Sequence, residues 1–168
     1  TIDGWYEEII IQGDLAANRI VFNPANKIGK WTIKGHVHTE TSLVVEAQEV
    51  RIAGNLTGNA DLDLSSAQWI QIGGALAAGG HLEFGYLRRL EVQGTVSCLG
   101  NAAFNGSMDE GFVGQSIQAG GDLTFQSVDS LAVAESVSAG RNLMFQNAIN
   151  EVTIGGSLVA GQDMEFDY

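Results

Sequence analysis

Apolar residues recur along this chain with two rhythms, a local period of two and a long period near twenty. Taking Leu158 as the anchor of its unit, the equivalent anchors are Leu15, Val37, Leu56, Leu76, Val96, Ile117 and Val137, spaced 19 to 22 residues apart. Four residues before each anchor stand Ile11, Ile33, Ile52, Ile72, Val92, Val113, Val133 and Ile154, all β-branched. Six before it stand Ile9, Trp31, Val50, Ile70, Leu90, Gly111, Leu131 and Val152, with Gly111 the single lapse. Eight after it come Val45, Leu64, Phe84, Phe104, Phe125, Phe145 and Phe166, and the first unit, one residue shorter there, places Phe22. Two after the anchor the residues are small, as in Ala78, Cys98, Ala119 and Ala139. The alternation is that of strands, the β-branched and aromatic residues agree, and no window sustains a helical period.

Self-similarity at a fixed period of this length predicts a solenoid. One strand-built coil of about 20 residues, stacked on the next by parallel ladders, is a β-helix. The expectation is an all-β, single-domain parallel β-solenoid over residues 1–168, with about eight coils and a roughly triangular section. A right-handed coil is expected, because parallel crossovers are overwhelmingly right-handed. At about 4.8 Å per coil the rod would be on the order of 40 Å long, with each row an inward ladder of like residues. Residues 1–8 precede the first ladder, and Trp5 and Tyr6 are expected to fold over the open end or contact another subunit.

Glycines two before the anchor (Gly13, Gly35, Gly54, Gly74, Gly94, Gly156) give way to Gln115 and Glu135 in two coils. An unpaired buried Glu is costly, so this position reads as a bend, where glycine tolerates unusual backbone angles. A second turn carries Asp61, Asn101, Asp122, Asn142 and Asp163, expected to bond their own backbone. The third corner is a loop of variable length with one tucked apolar residue, such as Leu87, Met108, Val128 or Ile149. The longest such loop, 23–30, holds Pro24, where no ladder donor is owed.

Composition narrows the partners. Charged residues make up 17%, and glycine is abundant at 22 residues, as expected of inward rows joined by tight turns. The formal net charge of −12 disfavours nucleic acid and anionic membranes as partners. No apolar run is long enough to span a bilayer, so no membrane insertion is expected. The chain opens at Thr1, which fits a processed form or an excised segment. The one cysteine, Cys98, falls in the small inward row and reads as a buried alanine substitute.

Candidate chemistry is sparse. His36, His38 and Glu40 alternate outward, with Asp14 one coil away from His36, and form the one candidate transition-metal cluster. The alternative for that patch is a solvated polar face. Gly120-Gly121-Asp122-Leu123 resembles calcium-binding glycine-rich repeats, but this period is too long for that nonapeptide spacing. Asp63 and Glu83 stack on the outer third side, and paired carboxylates can run glycoside chemistry. Their outward neighbours Ala103 and Thr124 supply no basic or aromatic groove. Thr95, Ser97, Ser116, Ser136, Ser138 and Ser157 form a small hydroxylated face suited to ice, glycan or lateral packing. No catalytic residue and no cofactor is expected.

The unit apolar-x-apolar-x-Gly-x-apolar-x-small followed by apolar-x-Phe, as at 50–64, 70–84 and in Ile154-Gly155-Gly156-Ser157-Leu158, resembles two groups. One is the repeat of filamentous haemagglutinin adhesins. The other is the bactofilins, bacterial polymers whose β-helices stack end to end. Both resemblances imply a non-enzymatic structural rod of bacterial origin. The first places it outside the cell or at its surface, with a surface glycan as partner. The second implies a cytoplasmic filament.

No polar closing coil follows Phe166, and solenoids need polar end coils to stay soluble. The leading expectation is therefore a structural subunit that stacks on copies of itself. Its mating rows would be Ile9, Ile11, Leu15 and Phe22 at one end, and Val152, Ile154, Leu158 and Phe166 at the other. The alternatives are a segment of a longer secreted adhesin and a polysaccharide-acting β-helix enzyme.

Overall fold

The computed structural model describes residues 7–21 and 28–167. Among these are twenty β-strands and no helix. Each coil has up to three sides. Coil one holds β1 (Glu8–Ile11) and β2 (Leu15–Val21), and coil two holds β3 (Ile28–Ile33) and β4 (Val37–Val44). Coil three holds β5 (Ala47–Ile52), β6 (Leu56–Gly58) and β7 (Leu62–Leu64), and coil four β8 (Trp69–Ile72), β9 (Leu76–Ala78) and β10 (Leu82–Phe84). Coil five starts with β11 (Leu87–Val92) and β12 (Val96–Cys98). Then β13 (Ala102–Val113) runs unbroken from its third side into the first side of coil six. After β14 (Ile117–Ala119), β15 (Leu123–Val133) does the same into coil seven, which continues through β16 (Val137–Ala139) and β17 (Leu143–Phe145). Coil eight holds β18 (Ile149–Ile154), β19 (Leu158–Ala160) and β20 (Met164–Phe166). The third corner is thus continuous strand, not loop, where β13 and β15 pass through it.

Every ladder is parallel, and the registers join the rows expected from the period. Ile11, Ile33, Ile52, Ile72, Val92, Val113, Val133 and Ile154 pair in an unbroken series, as do the anchors from Leu15 to Leu158. The tucked residues Leu87, Met108, Val128 and Ile149 also pair in series. Inward side chains of coils three to seven are nearly all buried, because each is sandwiched between like residues of its neighbours. Thr39 is the buried polar member of the small row, and its one hydroxyl proton is shared between the Asn18 and Ser42 carbonyls, 3.1 and 2.9 Å away.

The phenylalanines form a continuous stack from Phe84 to Phe166. Ring centroids lie 4.5, 4.7, 4.9 and 5.2 Å apart, with interplanar angles between 0° and 15°. The lapse at Gly111 is filled from its neighbours: a Cβ there would strike Met108 Sδ and approach Leu131 Cδ1 to 2.8 Å. The one extra residue at the corner between coils five and six is absorbed by a register shift between Phe104 and Ser107. Trp5, Tyr6, Phe22 and Pro24 lie outside the described residues, and with them the expected cap of residues 1–8 (from residue 7 on described), one of the eight mating residues and most of the longest loop.

Glycine serves the bends for a different reason from the one expected. None of the described glycines has a φ in the left-handed region. What they provide is space. A Cβ at Gly35, Gly74, Gly80 or Gly121 would run into a side-chain oxygen of the preceding coil, from Asp14, Asn55, Asp61 and Asn101 respectively. Where the position is not glycine, Glu135 turns out to solvent and its carboxylate accepts from the Ser116 hydroxyl at 3.0 Å.

Candidate functional site at the coil edges and corners

At most of the bends one backbone N–H falls outside the strand ladder, and a side chain of the preceding coil accepts it. On the first corner the N–H of His36 donates to Asp14 Oδ1 at 2.7 Å, that of Asn55 to His36 Nδ1 at 3.0 Å and that of Ala75 to Asn55 Oδ1 at 2.9 Å. After an interruption at Ala75 and Thr95, Ser136 donates to Ser116 Oγ at 3.4 Å and Ser157 to Ser136 Oγ at 3.0 Å. On the second corner the series is unbroken. His81 donates to Asp61 Oδ1 at 2.6 Å, Asn101 to His81 Nδ1 at 2.9 Å and Asp122 to Asn101 Oδ1 at 3.0 Å. Asn142 donates to Asp122 Oδ1 at 3.1 Å and Asp163 to Asn142 Oδ1 at 3.3 Å.

These bonds correct the expectation that the turn residues serve their own backbone. Each side chain caps the next coil, and all the bonds run one way, from an N–H of the later coil to an acceptor of the earlier one. Such groups must be satisfied somewhere, and the ladder satisfies them while fixing a polarity along the rod. His81 falls at the same turn in Gly79-Gly80-His81, but its role as an acceptor was not among the expectations. Its signal was available in the sequence, twenty residues from both Asp61 and Asn101 and preceded, like them, by a small residue.

The edge of coil eight continues every row and is exposed. Phe166 is 46% accessible, Met164 is 40%, and Val152, Ile154 and Leu158 are only partly covered. Ile9, Ile11 and Leu15 are likewise only partly buried at the coil-one edge. Ser157 and Asp163 present the next acceptors of the two corner ladders. The registers place Asp163 in one column with Asn142, Asp122, Asn101, His81 and Asp61, and through Ser42 with Arg19 of coil one.

The other candidate residues are dispersed. His38 bonds Glu40 at 3.2 Å and Thr57 at 2.9 Å, whereas His36 sits in the corner ladder with its Nδ1 already accepting from Asn55. The bend turns His36 out of the strand's alternation, so the candidate three-residue cluster does not converge. Among the described residues no group of three His, Cys, Asp or Glu gathers as a metal site. Asp63 and Glu83 do stack in register, but Asp63 accepts from Ser65 at 2.9 and 2.5 Å, and Glu83 from Asn105 at 2.8 Å. The hydroxylated face divides: Ser116, Ser136 and Ser157 belong to the corner, and Ser97 and Ser138 face outward from β12 and β16. Cys98 is buried, its thiol donating to the Gly100 carbonyl at 3.3 Å, and burial pushes that thiol up.

The first side carries most of the ion pairs. Lys30 bridges Glu8 at 3.2 Å and Glu49 at 4.0 Å, Arg51 pairs with Glu49, and Arg89 lies 3.6 Å from both Glu91 and Glu110. The Thr32 hydroxyl and the Lys30 ammonium hold the Glu8 carboxyl below the usual carboxylate range. No family model matches the chain, and no curated protein or solved structure is significantly similar to it.

Proposed function

We propose that the chain is a structural rod whose coil-eight edge is covered by coil one of a second copy, so that subunits stack head to tail into a filament. The observation that carries this reading is the match between the two edges. In the register of the existing coils, Val152, Ile154 and Leu158 meet Ile9, Ile11 and Leu15, and Asp163 meets Arg19. The Asp14 N–H supplies the donor that Ser157 Oγ lacks. Among the described residues one opposing pair is of like charge, Glu151 against Glu8, and Lys30 already neutralises Glu8.

The one-way corner ladders favour head-to-tail over head-to-head contact, because only the former sets donors against acceptors. A heterologous contact of this kind repeats without closing and yields a filament. Covering the exposed rows of one edge removes roughly 300 Å² of apolar area, worth about 7 kcal/mol at about 25 cal/mol per Å² before the cost of association.

Electron microscopy of the purified chain across a concentration series is the test. Unbranched threads with a repeat of about eight strand spacings are expected. Ile154→Asp should abolish them. Arg19→Asp and Asp163→Arg should each shorten them, and the two changes together should restore them. Single short rods at every concentration, or threads that persist with Ile154→Asp, would overturn the reading.

A further inference from the structure

The outward rows of the first side carry two exposed aromatics, Trp69 and Phe112, and Trp69 stands among charges. Glu49, Trp69 and Arg89 pair in register along one column, and Arg51, Gln71 and Glu91 along the next. Trp69 is 41% exposed. An exposed aromatic is ordinary on a protein surface, but Trp69 lines a depression of about 280 Å³ together with those five polar residues. The depression shares Arg51 and Gln71 with a second, of about 460 Å³, that extends toward Lys30, Lys34 and Glu8. Together they are lined by four of the eight Lys and Arg residues but three of the twenty Asp and Glu. In a chain of net charge −12, this strip carries no net negative charge, so an electron-rich ligand meets no net repulsion there.

We infer that this strip is a saccharide-binding site, with a pyranose ring stacked on the Trp69 indole. A pyranose has a face of C–H groups and a rim of hydroxyls. The indole face carries partial negative charge that attracts the C–H groups. Carboxylate, carboxamide and guanidinium groups around it supply the planar donors and acceptors that hydroxyls pair with. A ligand site of this kind needs only a few such groups, correctly placed.

Here the polar groups are already held in place. Arg51 pairs with Glu49, Gln93 Nε2 donates to Glu91 Oε1 at 2.8 Å, and Gln71 Nε2 lies 3.5 Å from Glu91 Oε2. Their ordering cost is therefore largely met before a ligand arrives. The first depression suits one ring, and its continuation into the second suits an oligosaccharide lying along the rod. This inference does not depend on end-to-end stacking, since Trp69 lies on a side and not on an edge.

The test is calorimetric titration with neutral oligosaccharides (cello-, manno- and chito-oligomers) and acidic ones (oligogalacturonate, hyaluronan oligomers). At least one is expected to bind saturably. Trp69→Ala should weaken that binding at least tenfold, and Gln71→Ala should weaken it less. Gln71→Ala should leave the melting temperature nearly unchanged, Trp69→Ala should lower it by only a few degrees because the indole is partly covered, and neither should alter any filaments, because both side chains lie on a side and not on an edge. Binding confined to acidic sugars adds Lys30, Lys34 and Arg51 to the contact with Trp69, and binding of neutral sugars rests on Trp69 and Gln71. Either result supports the site. The inference is overturned if no sugar binds, if Trp69→Ala binds as the parent does, or if the only effect of Trp69→Ala is to remove a side-by-side association of rods.

Discussion

Replacing Phe125 with alanine probes the ring column at its centre. Phe125 is 0% exposed and lies 4.7 Å from Phe104 and 4.9 Å from Phe145, so both ring faces are covered. Truncating a buried phenylalanine costs about 3–5 kcal/mol, and with two ring contacts, each worth about 0.5–1.5 kcal/mol, Phe125→Ala belongs near the upper end of that range. Phe166 has a single ring neighbour, at 5.2 Å, and is 46% exposed. Half the burial and one ring contact put Phe166→Ala at about 1–2 kcal/mol in the isolated rod. At about 2–4 °C per kcal/mol for a chain of this size, the melting temperature should fall by about 10–20 °C for the first variant and by about 2–8 °C for the second. Thermal melts followed by circular dichroism on dilute protein measure both. Equal losses for the two variants would refute the reading of a column covered at its centre and open at its edge. Repeating the melts at concentrations where rods stack should raise the cost of Phe166→Ala toward that of Phe125→Ala, because a solenoid coil draws its stability from its neighbours.

Three further outcomes follow from the corners and the small row. Gly121→Ala should destabilise the fold by about 1–3 kcal/mol, since its Cβ meets Asn101 Oδ1. Asn101→Ala should cost about 1–2 kcal/mol by orphaning the Asp122 N–H. The double variant should cost about 1 kcal/mol less than the sum, and strict additivity in urea titrations would sink the ladder argument. His81→Asn should stay within about 0.5 kcal/mol of the parent, because asparagine performs the same acceptor role at Asn101 and Asn142. His81→Leu should cost about 1–2 kcal/mol more. Cys98 should resist iodoacetamide at pH 8 in the folded rod and react fully in urea. Because burial raises its folded pKa, its contribution to stability is intact below the unfolded thiol value of about 8.5 and is lost as pH rises further. Denaturation midpoints that climb between pH 8 and 10 would contradict that sign.

The rows of this fold were legible because strand alternation and a twenty-residue period are both carried by side-chain polarity. The series from Ile11 to Ile154 needed no coordinates to be recognised, and neither did the run of phenylalanines. The Gly111 lapse was visible, but its remedy was not. Met108 had been recognised as a tucked loop residue, and only packing shows its sulfur filling the missing side chain's place. Trp69 escaped notice for the opposite reason. Alone in sequence it is one exposed aromatic, and it acquires Glu49, Arg51, Gln71, Arg89 and Glu91 as neighbours only once the coils are registered against each other.

The corners show where alternation stops being a sufficient code. It offers a side chain two directions, inward and outward, and a stacked coil has a third, along the axis. Asp61, His81, Asn101, Asp122, Asn142 and Asp163 point that way, each accepting from the coil that follows or, for Asp163, ready to. Read as outward residues they suggested local turn bonds, and His36 read as outward suggested a metal ligand. Read as axial residues they explain the glycines beside them, which leave room for the acceptor, and they give the rod a direction that its apolar rows lack. An apolar row would stack equally well on either end of a second rod. The corner ladder sets a donor at the coil-one edge, on Asp14, and acceptors at the coil-eight edge, on Ser157 and Asp163. If subunits join at their edges, it is this axial polarity, more than the apolar contact, that decides which edge meets which.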